Sequence, residues 1–273
     1  MEKLKENHRL ESWVELQLSN GKYGFTLDAL RQSFVEQSET AIKFALKRYV
    51  DKGKIISIFK GYYLIIPPQY APRGILPPAI FLDSFMKFLE RPYYLALLNA
   101  AAYHGAAHQQ PQEFFVVTTS PVLRPTQRKG LKVNYISKKE IHEKLIEIKK
   151  TESGYLKISN PILTATDLIQ FEKRVGGLNR VATVMNELAE AIKPDDFNAF
   201  LISVTPISAL QRLGYIFDKI LGNNALADAL VQALEQVGAK LFRVPLKASA
   251  PTKGFSLDER WKVIVNTEIE IDE

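Results

Sequence analysis

Residues 26–66 read TLDALRQSFVEQSETAIKFALKRYVDKGKIISIFKGYYLII. Thr26 stands where an N-cap is wanted, and Asp28 follows in the first turn, so a helix is expected over Leu27–Phe34. Val35-Glu36-Gln37 then forms a short turn, and Ser38 caps another helix running to about Lys52, with Gly53 at C′. IISIF and YYLII, joined by Lys60-Gly61, read as two strands of a tight hairpin. Upstream, Leu10, Trp13, Val14 and Leu18 recur at helical spacing before a stop at Asn20-Gly21. Helix, helix-turn-helix and hairpin, in that order, define a winged helix-turn-helix.

The helix after Ser38 has two faces. Ile42, Ala45, Leu46, Tyr49 and Val50 form an apolar stripe for packing on the first two helices. Thr40, Lys43, Phe44 and Lys47 occupy another face at i, i+3, i+4 and i+7, flanked by Arg48 and Lys52. From Ser38 to Lys60 there are six cations and two anions, counting Lys54 and Lys60. Such a face suits the major groove, with N-terminal residues at base edges and lysines on phosphates. The residues expected at DNA are Ser38, Thr40, Lys43, Phe44, Lys47, Arg48, Lys54 and Lys60. The plainer reading is a solvated face on a protein-interaction module.

Outward from this segment, PPQYAPRGILPP at 67–78 holds five of the 14 prolines and reads as an extended connector. The division expected is a winged helix at 1–66, a connector at 67–80 and a larger mixed α/β domain at 81–273, an α+β chain overall. In the last part, helical pattern is expected at 81–89, 93–103, 166–174, 179–192, 197–201, 207–221 and 225–236. Strands are expected at 113–119, 132–136, 144–148, 155–158, 241–245 and 261–266. A second basic stretch, 124–150, carries nine cations against three glutamates; it reads either as a polyanion contact or as a solvated face.

Composition narrows the function. The 273 residues are 46% hydrophobic and 24% charged, with a net charge of +6. That is the range of a folded globular chain, and the basic balance permits a polyanionic partner. There is no cysteine, which removes disulfides, thiol catalysis and thiolate zinc sites. No apolar run is long enough for a membrane span, and MEKLKENHRLES is no signal peptide, so a cytoplasmic chain without membrane contact is expected. The phosphate-cradling G-x-x-x-x-G-K-[ST], the dinucleotide G-x-G-x-x-G and the G-x-S-x-G elbow are all missing. His104 and His108 are four apart but lack the glutamate of a zinc protease, and Glu147-Ile148-Lys149 lacks the upstream acid of a metal-dependent nuclease. No catalytic residue, metal or cofactor is expected, and the chain is read as a non-enzyme.

Four passages together resemble the AbiEi family, the antitoxins and transcriptional regulators of type IV toxin–antitoxin systems known from phage abortive infection. They are the winged-helix run from Phe25, the connector, YYLALLNAAAYHGAAHQQPQEFFVVT at 93–118, and TATDLIQFEKRVGGLNRVATVMNELAE at 164–190. The resemblance implies that the winged helix binds inverted repeats in its own promoter and represses the operon. It implies that the larger domain counters a nucleotidyltransferase toxin, AbiEii, without a stable complex. DNA-contacting positions would lie on Ser38–Lys47 and near Lys60; where the family's wing tip is expected to hold two basic residues, this chain has Phe59 and Lys60. His104, His108 and Gln109 fall in the family-like stretch. A monomer or weak dimer, paired on DNA, is expected. The alternative is a one-component regulator whose larger domain senses a small molecule.

Overall fold

A computed structural model describes residues 2–106 and 113–271 as a mixed α+β chain. It resolves into two compact units that interleave along the sequence: Met1–Leu95, Gln112–Glu143 and Glu147–Ile158 in one, Ala96–Pro111, Lys144–Ile146 and Ser159–Glu273 in the other.

The first unit opens with α1 (Glu2–Ser19), β1 (Gly24–Thr26), α2 (Leu27–Ser33) and α3 (Glu39–Asp51), then the hairpin β2 (Ile55–Phe59) and β3 (Tyr62–Ile65). Thr26 Oγ1 accepts the Ala29 amide at 3.0 Å and Ser38 Oγ the Ala41 amide at 3.2 Å, so both helices start on the residues whose side chains can cap them. The sheet runs β1-β3-β2, all antiparallel, with Phe25 opposite Tyr63 and Ile56 opposite Leu64. β1 is not apparent in the sequence because three residues show no periodicity. Leu10, Val14, Leu30, Ile42, Leu46 and Tyr49 close with Ile55 and Ile65 into one core.

The hairpin's other face enters a second core. Ile56, Ile58, Tyr62 and Leu64 pack with Leu82, Phe85 and Met86 of α4 (Pro78–Phe88). The proline stretch is less extended than expected: Pro68–Tyr70 make a 3₁₀ turn, and α4 starts at Pro78 rather than at Phe81. Proline at a first helical position loses no hydrogen bond. Next, the apolar run at 93–103 divides into β4 (Tyr93–Leu95) and α5 (Leu97–Tyr103), with Leu97 at φ 57° at the junction. An all-apolar run shows no period, which is why one helix was expected there. β5 (Phe114–Thr119), β6 (Thr126–Arg128), β7 (Leu131–Lys138), β8 (Ile146–Thr151) and β9 (Gly154–Ser159) complete a sheet ordered β6-β7-β5-β4-β9-β8. Leu131, Val133 and Tyr135 of β7 and Leu156 and Ile158 of β9 join the second core.

The second unit is mainly helical. After α5 come α6 (Pro161–Gln170), α7 (Leu178–Leu188), α8 (Ala199–Val204), α9 (Ile207–Tyr215) and α10 (Asn224–Gln236). α6 begins five residues before the expected Thr166, because Asn160 caps it at Leu163 N (3.0 Å) and Pro161 fits its first position. A small sheet, β10 (Val244–Pro245), β11 (Leu257–Asp258) and β12 (Val263–Ile264), is tied to α9 by buried polar groups. Gln211 Nε2 donates to the carbonyls of Phe242 and Trp261, both at 2.7 Å. Arg212 donates to Leu246 O at 2.8 Å, to Ile169 O at 3.2 Å and to Glu172 at 3.0 Å. The fully buried Trp261 ring lies against Gly214, where an added Cβ would fall inside the indole. Gly214→Ala is therefore expected to destabilise the chain by about 3 kcal/mol. Urea unfolding followed by Trp261 fluorescence in a Trp13→Phe background measures it.

Candidate nucleic-acid interface

α3 carries the surface that the sequence reading singled out. Its inner positions, Ile42, Ala45, Leu46 and Tyr49, are buried, while Thr40, Lys43, Phe44 and Lys47 are exposed on the other side. The N-terminus of this surface is braced. Glu39 accepts from Arg31 at 2.9 Å and from Lys43 at 3.4 Å, and Arg31 also reaches Asp28 at 3.1 Å. This chain links the two helices across their turn, and no spacing pattern announces Arg31's part in it. Asp28, Glu39 and Lys43 are exposed and Arg31 is partly so, so each pair is worth little in stability; the effect is on where Lys43 rests.

The remaining expected positions divide. Ser38 serves as the cap. Arg48 is half-buried, its Nε enclosed without a hydrogen-bond partner. Lys54 donates to Glu11 of α1 at 3.0 Å and stands 5.6 Å from the Tyr49 ring; the hydrogen bond to Glu11 raises its pKa. Its ammonium is thus directed to α1. Lys60 is exposed in the hairpin turn, beside Gly61 at φ 82°.

The turn itself is anchored. Phe59 lies 5.8 Å from Phe85 and 6.3 Å from Phe88, ring to ring, and the Tyr62 ring lies tilted 5.1 Å from both. Tyr62 shares a 2.7 Å hydrogen bond with Ser84, and burial pushes its hydroxyl up to about 12. Phe59, at the hairpin position where the family resemblance implied a second cation, therefore has a packing role, legible only once α4 is known to lie alongside.

Structure also sorts the second basic stretch. Lys132 is paired with Glu113 and Lys149 with Glu147, each at 2.7 Å. Lys138 stands 5.7 Å over Tyr94, and Lys144 5.1 Å over Phe200. Arg124, Arg128 and Lys129 are exposed before and along β6 and in its turn to β7, and β6 packs beside β2 of the hairpin. Glu147 of the E-x-K triplet is thus engaged by its own lysine. His104 Nε2 is 2.7 Å from Ser159 O, a packing role; His108 and Gln109 lie outside the described residues. Among the described residues no cluster of three His, Asp or Glu could hold a metal, and no helix is long and apolar enough to cross a membrane.

Residues 94–219 match the family described as the AbiEi antitoxin C-terminal domain, which supports an antitoxin of the AbiEi family. Its fold is similar to the crystal structure of the RV2827C protein from Mycobacterium tuberculosis, at a TM-score of 0.66 and 16% identity, over 92% of this chain and 89% of that one. No curated protein matches.

Exposure fixes the expected stability effects. Lys43→Ala, Phe44→Ala and Lys47→Ala should each change unfolding free energy by no more than about 0.5 kcal/mol. Ser38→Ala should cost about 1 kcal/mol through the lost cap. Chemical denaturation of the four variants tests both statements.

Proposed function

We propose that the chain is a DNA-binding antitoxin. Its 1–66 segment acts as a winged helix-turn-helix that binds inverted repeats in the promoter of its own operon. Residues 67–80 connect this segment to the 81–273 portion, which counters a nucleotidyltransferase toxin of the AbiEii kind. The observation that carries the DNA half is the outer face of α3: Thr40, Lys43, Phe44 and Lys47 exposed together on a capped helix whose opposite face is buried. The antitoxin half rests on the family match at 94–219.

Binding follows from charge. Lys43, Lys47 and Lys60 displace counterions from the duplex, Arg48 flanks them, and Ser38 and Thr40 bring the helix N-terminus to the bases. Exposed Arg124, Arg128 and Lys129 add positive potential beside the hairpin. Lys54, held by Glu11, contributes through that potential rather than through a contact. Two protomers pair on the two repeats.

A salt titration of the full chain against its upstream duplex tests the reading, with a scrambled duplex as control. Tighter binding to the native duplex is expected, with a log–log slope of roughly −3 to −5. Lys47→Ala should weaken binding to both duplexes and flatten the slope by about one unit. Equal, weak binding to both duplexes by the unaltered chain would overturn it.

A further inference from the structure

α3 exposes one large apolar group in the middle of its polar face. Phe44 is 62% exposed, and its neighbours on that face are Thr40 one turn before and Lys43 and Lys47 beside and after it. The core of this helix is complete without it: Ile42, Ala45, Leu46 and Tyr49 fill the buried side. Phenylalanine is also a poorer helix former than alanine, leucine or lysine, so neither packing nor propensity accounts for it. Phe59, exposed on the hairpin, differs in being engaged by two rings of α4.

Resting on the DNA-binding reading above, we propose that Phe44 is a specificity-determining residue that selects thymine by packing its ring on the 5-methyl group. The major groove offers a single apolar feature, the thymine methyl, and phenylalanine is one of the side chains that meets it. Phe44 lies in the first half of α3, the part that reaches base edges in this docking geometry. The flanking ammonium groups of Lys43 and Lys47 are long enough to hold phosphates on either side while the ring faces the floor of the groove. The Thr40 methyl, four residues earlier, extends the same apolar strip. Lysines supply affinity for any sequence, and the ring supplies a preference.

The test uses the full chain and its upstream duplex, with each thymine replaced in turn by uracil, which lacks only the methyl. Dissociation constants are read by fluorescence anisotropy. In each half-site, one uracil should weaken binding about fourfold, the value of one buried methyl-sized group. Phe44→Ala should bind the thymine and uracil duplexes equally, and Phe44→Leu should retain part of the difference. Lys47→Ala should keep the thymine-to-uracil ratio while its salt slope flattens by about one unit. Native binding preferred over scrambled, with no uracil position changing affinity more than twofold, overturns the inference and leaves the DNA-binding reading standing. Persistence of the difference in Phe44→Ala overturns it equally. No preference for the native duplex at all overturns both.

Discussion

The hairpin β2–β3 is buried on both faces, and the first unit is organised around that fact. Residues alternate along a strand, so Ile55 and Ile65 point into the core of α1, α2 and α3 while Ile56, Ile58 and Leu64 point into the core of α4 and the large sheet. A strand with water on one side would alternate apolar and polar; IISIF and YYLII are nearly continuous runs because neither side is wet. One register satisfies two cores, and a one-residue slip would exchange every side chain between them. The position of α3 depends on this arrangement, since its inner face rests on a sheet that is held from behind.

The outer face of α3 then follows with little further cost. A helix fixed by its buried stripe can carry whatever chemistry its free side needs, and here that side combines cations, a hydroxyl and one aromatic ring. The bridge from Arg31 through Glu39 to Lys43 limits the wandering of a side chain with much rotamer freedom. Packing fixes the frame and electrostatics arranges the surface.

Local chemistry made much of this legible. Thr26 and Ser38 announced their helices, the period of Ile42, Ala45, Leu46 and Tyr49 marked the inner face, and Lys60-Gly61 marked the turn. What stayed hidden depends on distant partners. β1 exists because β3 accepts it as a neighbour, and β4 is a strand because β5 and β9 flank it; neither has a signature of its own. Phe59 looked like a missing cation until Phe85 and Phe88 stood against it. Lys54 reads in the sequence as one more surface cation, and only the structure shows its ammonium paired with Glu11, 43 residues away in sequence. Charge counts along a chain cannot distinguish a neutralised lysine from a bare one.

The prolines at 67–78 look like a natural seam, the kind at which genes exchange modules. The shared hairpin argues otherwise. A recombination that joined a foreign partner at that seam would strip α4 from Ile56, Ile58, Tyr62 and Leu64 and leave four apolar side chains facing water. The heritable cassette is therefore longer than the three-helix segment and hairpin that it carries. Lineages that trade this amino-terminal segment would have to move the cut downstream of α4, or supply a new helix to cover the hairpin.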